Sequence, residues 1–582
     1  MDDPLDRSVH AHNVDRMLHA TLGRITQGIS PASLSAAFMD WAVHLAGSPG
    51  KQQELLEKAV RKASRFALYT AHAFPREPGP CIQPLPQDQR FSHPGWCEWP
   101  FNLLQQTFLL TQQWWHNATT EVRGVTRHHQ QVMTFTARQL LDMLSPSNVL
   151  FTNPEVLQET VKTGGMNLVT GGFNWWNDVE RLTAGKRPEG ADAYQVGHNV
   201  AITPGQVVYR NRLIELIQYA PASKDVYAEP VLIVPSWIMK YYILDLSPHD
   251  SLVKFLVAQG HTVFMISWKN PTAGDRDLGM DDYLKLGPLD ALNVVSRLMP
   301  KAAIHAAGYC LGGTLLAIAA AHLARRGNSA NQRIKTISLF ASEVDFEEPG
   351  ELSLFIDESQ IAYLEDIMWD QGYLDGSQMG GAFQLLNSKD LIWSRLVHDY
   401  LMGIRPGMND LMAWNADRTR LPFRMHSEYL RSLYLNNDLA EGRYLVDGKP
   451  VALTDIRAPV FSVGTLKDHV SPWRSVYKIH LLTDTEVTFV LTSGGHNAGI
   501  VSEPGHPGRS YQIKLQGAEE KYLDPDSWLA VAPRLEGSWW PTWRAWLAGH
   551  SSAKRGAPPP LGNAKAGYPP LADAPGRYVL QA

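Results

Sequence analysis

The pattern of apolar and polar positions changes character near residue 207. Upstream, apolar residues recur at helical spacing between loops. In "PFNLLQQTFLLTQQWWHNATTEV", from Pro100, the residues Leu104, Phe108, Thr111 and Trp115 fall on one helical face, behind a proline and glycine start signal. The stretch "GGMNLVTGGFNWWNDV" at 164–179 reads as a glycine-rich loop whose aromatic residues pack against something. Downstream, short β-branched runs alternate with helical segments. "QVVYRNRLIELIQYA" predicts paired strands, and "VLIVP" at 231–235 and "TVFMISW" at 262–268 predict buried strands with the helical "SLVKFLVAQG" between them. The helical "DYLKLGPLDALNVVSRLM", a strand ending near residue 309, the helix "GGTLLAIAAAHLARR" and the strand "IKTISLFAS" follow, and "PVFSVGT" at 459–465 and "EVTFVLT" at 486–492 resume the series. Such alternation, with strands apolar throughout, predicts a mostly parallel sheet covered by helices on both faces.

Three segments stand outside that rhythm. Residues 1–200 form a mainly helical N-terminal region, and residues 201–550 hold the sheet. Within the latter, about 345–450 is a helical, aromatic-rich insertion. Residues 551–582 are a tail rich in Pro, Gly and Ala, expected to be extended on the surface or disordered.

Composition narrows the class. The chain has 582 residues, 44% apolar and 19% charged, and 53 Lys plus Arg against 58 Asp plus Glu give a net charge of -5. No basic excess points to nucleic acid. Three cysteines are too few for a disulfide framework or a zinc cluster, so a reducing compartment is expected and no metal site is assigned. The first residues are acidic and polar where a secretory signal would be basic and then apolar, and no run reaches the ~18 apolar residues of a membrane span. These features make a cytoplasmic protein the expectation. The 18 tryptophans, paired at Trp114-Trp115, Trp175-Trp176 and Trp539-Trp540, are read mainly as core packing, with some available to meet a hydrophobic partner.

The chemistry concentrates at Gly308-Tyr309-Cys310-Leu311-Gly312, between a buried strand and an alanine-rich helix. That context matches the nucleophile elbow of α/β-hydrolases, with cysteine in place of the usual serine. There Cys310 would sit at a helix N-terminus, whose exposed N–H groups favour negative charge. The elbow calls for an acid and then a histidine after later strands, and Asp468 and His496 follow the strands 459–465 and 486–492 in that order. His469 is the rival histidine, but as the neighbour of Asp468 its side chain should diverge. The oxyanion hole is expected from the Leu311 N–H and from one N–H in "SWIMKYYILDL", either Ser236 or Trp237. Lys240, Tyr241 and Tyr242 are read as packing or substrate-path residues, and His305 as a core histidine with a backbone partner. The fold class is therefore α/β, an α/β-hydrolase with a helical cap inserted above the carboxyl ends of its strands and a mainly helical N-terminal domain.

"GYCLGG", "KYYILDL", "GHTVFMISWKNP", "WNADRTRLP", "DHVSPW", "GGHNAG" and "APGRYV" together resemble polyhydroxyalkanoate synthases of the single-subunit class I type, from about residue 90 to the end. The resemblance implies that Cys310 is the nucleophile, that Asp468 and His496 complete a triad, and that Trp414 lies in the cap region near the site. It also implies an (R)-3-hydroxyacyl-CoA substrate, a growing polyester and its granule surface as partners, an active homodimer helped by the N-terminal region, and no cofactor beyond the CoA that is released. Met239 and Asn497 depart from the family's usual Asn and aliphatic residue and bear on substrate range. A thiolate attacking a thioester gives another thioester, so the acyl group would stay activated. A hydrolase of the same fold would instead release free acid, and a catalytically idle granule-coat or scaffold protein would leave granule yield unchanged after Cys310→Ala.

Overall fold

The apolar runs downstream of residue 205 form strands whose backbone groups pair in ladders, and the central ones are buried along almost their whole length. The computed structural model describes residues 7–26, 28–72, 79–325, 333–386 and 388–582. Its central sheet contains β1 (Gly205–Arg210), β2 (Ile214–Tyr219), β3 (Val231–Val234), β4 (Val263–Trp268), β5 (Ile304–Tyr309), β6 (Ile334–Phe340), β7 (Val460–Thr465), β8 (Val487–Thr492), β9 (Ser510–Gln516), β10 (Arg534–Glu536) and β11 (Ala572–Asp573). Their spatial order is β10-β9-β8-β7-β6-β5-β3-β4-β2-β1-β11. The six strands from β8 to β4 are parallel, and antiparallel strands flank them on both sides. All six residues of β2, β4, β5, β7 and β8 are buried. Strands apolar on both faces are stable only under helices, and these include α8 (Leu252–Ala258), α10 (Asp290–Leu298), α11 (Leu311–Arg325) and α15 (Trp540–His550). The expected α/β-hydrolase architecture is thus present.

The described residues divide into two units. The sheet unit contains α1 (Arg7–Ile25), residues 190–379 and residues 408–582. Here α1 lies along α12 (Glu358–Gln371), with His19 Nδ1 2.7 Å from Asp366 and Arg24 2.8 Å from Asp370. The first helix therefore joins the sheet unit, not the helices that follow it. The helical unit contains residues 29–189 and 380–407, so only part of the 345–450 insertion belongs with the sheet.

Within the helical unit, tryptophans join helices through both their rings and their indole N–H groups. Trp41 on α2 (Pro31–Ala46) donates to Ala118 O on α4 (Phe101–Thr119) at 2.8 Å, and Trp114 on α4 donates to Leu55 O on α3 (Pro49–His72) at 3.1 Å. The expected face of α4 differs from the buried one: Phe108 is buried, but Thr111 and Trp115 are exposed. Gln105 and Gln106 turn inward instead, because Gln106 bonds the Ile82 N–H and C=O and the Cys81 thiol. Specific backbone pairing overrides the apolar period here.

The stretch read as a glycine-rich loop at 164–179 is helix, α7 (Met166–Thr183). Its glycines serve close approach, not flexibility: a methyl group at Gly171 would overlap the Tyr400 carbonyl oxygen. Asn167 and Asn174 on the same helix donate to Leu401 O at 2.8 Å and Asp399 O at 2.9 Å. Phe173, Trp175 and Trp176 point outward and are 71%, 51% and 62% exposed.

The tail is extended. Its β11 extends the sheet edge beside β1, and the Arg577 and Tyr578 N–H groups both donate to buried Glu215 Oε2 at 2.9 Å.

Gly171→Ala is expected to destabilise the protein by about 1–3 kcal/mol through overpacking against residue 400. Gly172→Ala, which meets open space, should be neutral or slightly stabilising, and thermal unfolding of the two variants checks the contrast.

Candidate functional site

Between β5 and α11 the chain must reverse within one residue, and that residue is Cys310. Its φ is 53°, a left-handed conformation uncommon for any residue with a Cβ. The turn is held from behind, where the Cys310 N–H donates to Phe340 O of β6 at 2.8 Å and the Cys310 carbonyl accepts from Gly313 N at 2.9 Å. A side chain at Gly312 would overlap the Val234 carbonyl oxygen, so the start of α11 rests directly on the end of β3. Cys310 is partly exposed and packs against the core on both faces of the sheet.

Asp468 lies in the loop after β7 and His496 in the loop after β8. Their side chains meet, with His496 Nδ1 donating to Asp468 Oδ2 at 2.8 Å. The other bonds to the carboxylate come from the Thr465 hydroxyl at 2.7 Å and from the N–H groups of Val470 and Ser471 at 2.9 and 2.8 Å. Burial alone would push the Asp468 carboxyl up, but the charge and hydrogen bond of His496, with Ser471 and Thr465, outweigh it and hold the group below the ordinary carboxylate range. Burial would conversely lower His496. Attraction to Asp468 and to Cys310, which also acts on this ring, overrides that and holds the imidazole well above its ordinary value. The structure therefore brings Cys310, Asp468 and His496 together in the expected chain order, while His469 is exposed beside the acid.

Three contacts that the sequence alone did not foretell fix the histidine loop. Tyr309, the residue before the elbow, is buried and donates its hydroxyl to Asn497 Oδ1 at 2.6 Å. Asn497, set apart in the sequence only by the resemblance drawn above, is thereby matched to a tyrosine on the nucleophile's own strand. Behind it, Trp539 and Trp540 donate to Gly499 O at 3.0 Å and Ile500 O at 2.9 Å. One expected tryptophan pair is thus a buried clamp.

Ser236 and Trp237 follow β3, and the carbonyls of Val234 and Pro235 abut the Gly312 backbone beside Leu311. Both side chains are buried. The Trp237 ring packs against Trp268, Tyr283 and Tyr429, and Ser236 Oγ accepts from Ile238 N–H at 3.3 Å. Trp414 is buried with Tyr241 and Tyr242 in one core cluster, and its indole N–H donates to Lys240 O at 2.8 Å. Lys240, buried in an otherwise apolar loop, donates from Nζ to Val579 O at 2.8 Å and to Gln581 O. The loop after β3 is therefore tied to the cap through Trp414 and to the tail through Lys240. His305 has hydroxyl partners, Thr336 Oγ1 at 2.7 Å and Ser551 Oγ at 3.0 Å, where a backbone partner was expected. Burial pushes its imidazole down to about 3.

Three family models match the chain: the poly-beta-hydroxybutyrate polymerase (PhaC) N-terminus over residues 87–256, the poly-beta-hydroxybutyrate polymerase N terminal over 9–51, and the alpha/beta hydrolase fold over 229–503. Among curated relatives, the chain is 40% identical over 535 residues to the poly(3-hydroxyalkanoate) polymerase of Methylorubrum extorquens, an alignment covering 90% of this chain and 87% of that one. It is 38% identical to the poly(3-hydroxyalkanoate) polymerase subunit PhaC of Rhizobium etli, covering 86% and 78%.

Tyr309→Phe and Asn497→Leu should couple by about 1 kcal/mol in a double-mutant unfolding cycle, the net value of one hydrogen bond. The depressed Asp468 carboxyl contributes stability that is present above the ordinary Asp value of about 3.9 and is lost as pH falls through its folded value. Urea titrations of wild type and Asp468→Asn should accordingly differ most near neutrality and converge on acidification.

Proposed function

The chain belongs to the poly(3-hydroxyalkanoate) polymerases, acyltransferase-type polymerases of the α/β-hydrolase fold, and from that premise we propose that it extends a polyester from (R)-3-hydroxyacyl-CoA through an acyl group carried on Cys310. The observation that carries this reading is the left-handed turn presenting Cys310 beside a His496 ring already oriented by Asp468.

In the first half-reaction His496 takes the thiol proton, and the Cys310 sulfur attacks the acyl carbonyl. The carbon–sulfur bond to CoA then breaks, and CoA leaves as the thiol with the proton returned by His496. Asp468 stays ionised throughout, holding the ring tautomer and stabilising the imidazolium. The oxyanion formed on attack would be met by the Leu311 N–H and by an N–H of Ser236 or Trp237. In the second half-reaction the 3-hydroxyl of a further hydroxyacyl unit gives its proton to His496 and attacks the acyl-cysteine carbonyl. An ester forms and Cys310 recovers its proton. Because the carrier bond is a thioester, the chain remains an activated donor until the ester is made, which a serine would not allow.

No cofactor enters this scheme. Its partners are the polyester, at a granule surface in the cytoplasm, and a second copy of the chain. The outward Phe173, Trp175 and Trp176 of α7 support contact with an apolar surface, since exposed aromatic clusters of this kind mark interaction sites.

Purified protein incubated with (R)-3-hydroxybutyryl-CoA should release free thiol and become turbid together, with an adduct at Cys310 in the quenched enzyme. Cys310→Ala should abolish all three, and His496→Ala should slow thiol release by about 10²–10⁴-fold. Thiol release from a solution that stays clear would identify a hydrolase instead.

A further inference from the structure

Glu343 is a second carboxyl at this site, and the scheme above leaves it unused. It stands in the loop after β6, where Ala341 adopts a left-handed φ of 47° and so redirects the chain. The residue is 3% exposed. Its carbonyl accepts from the Thr314 hydroxyl of α11 at 2.7 Å, which locks the loop to the elbow helix. The side-chain oxygen Oε1 is sealed from solvent and has no hydrogen-bond partner. Buried polar atoms in native proteins are nearly always satisfied, and an orphan costs about 1–3 kcal/mol.

The surroundings explain what kind of partner is missing. Asp468, Cys310, His496 and Asp345 act on the Glu343 carboxyl, and of these only His496 favours its ionisation; burial, the largest influence, pushes it well above the ordinary carboxylate range. A protonated carboxyl offers one O–H donor and an acceptor oxygen. Tyr429 and Tyr434 feel both Cys310 and Glu343, and burial likewise keeps their hydroxyls neutral. Cys310 packs against apolar side chains of both core clusters, so a neutral donor–acceptor here is suited to an uncharged hydroxyl a few bonds from the reacting carbonyl.

We propose that Glu343 is a specificity-determining residue whose buried carboxyl hydrogen-bonds the 3-hydroxyl of the acyl group being transferred to Cys310. The proposal rests on the polymerase reading and deepens it. In chemical terms, the site would select hydroxyacyl over plain acyl thioesters by satisfying a polar atom that otherwise stays orphaned.

The test compares (R)-3-hydroxybutyryl-CoA with butyryl-CoA, which lacks only the hydroxyl, and follows adduct formation on Cys310 by intact-protein mass. The readout is the ratio of the two loading rates. Glu343→Leu should lower that ratio by about tenfold, the size of one good hydrogen bond, with butyryl loading retained. Glu343→Gln, which keeps a neutral donor and acceptor, should recover most of the ratio. A ratio unchanged in Glu343→Leu would overturn the proposal, as would equal loss of both substrates in the two variants, which would mark a purely structural role. If the wild-type enzyme loads neither thioester on Cys310, the polymerase reading itself fails, and this proposal fails with it.

Discussion

One backbone constraint supports everything else described: a cysteine held in left-handed geometry at the junction of β5 and α11. Strain of this kind costs on the order of 1–3 kcal/mol and persists only where the surroundings over-determine it. Here they do so from three directions. β6 accepts the Cys310 N–H, α11 closes its first turn on the Cys310 carbonyl, and the end of β3 leaves no room for a side chain at Gly312. The parallel core buries these strands on both faces, so the turn rests on densely packed structure. Rigidity matters because an acyl carbonyl must meet sulfur, imidazole and oxyanion donors together, and small misplacements are expensive in rate.

The acid and base are held by a different logic. Asp468 is satisfied by a hydroxyl, two backbone N–H groups and the imidazole. A buried carboxylate with that many donors stays charged, and its charge in turn keeps the ring oriented. The histidine loop contains glycines and could wander, yet Tyr309, Trp539 and Trp540 pin it by side-chain bonds to Asn497, Gly499 and Ile500. Precision at His496 thus derives from aromatic residues scattered through the sequence.

This division explains what could be read in advance. The parallel strands were legible because each is a mostly apolar run, and the elbow, Asp468 and His496 because each follows such a run at once, whereas the polar, partly exposed β9, β10 and β11 carry no such signal and went unread. The α7 helix was not legible: its glycines resemble those of a loop, and only the approach of residues 399–401 reveals that they make room for a neighbouring backbone. The buried face of α4 was missed because Gln106 is turned inward by bonds to Cys81 and Ile82, a contact with no local period. Glu343 was passed over for a similar reason, since a lone acid after a strand reads as solvated until its burial is known. The membership of α1 in the sheet unit depends on ion pairs with Asp366 and Asp370, far away in sequence.

The hold of Lys240 on the carbonyls of residues 579 and 581 has a consequence for biogenesis. A ribosome reaches those residues long after Cys310 has emerged from it, and β11, which borders the sheet beside β1, is translated equally late. The loop beside the nucleophile therefore lacks this brace until residues 579–581 have been made. A nascent polypeptide can bury its central strands early but braces its reactive pocket only after that, so a half-made chain still tethered to the ribosome should be chemically quiet.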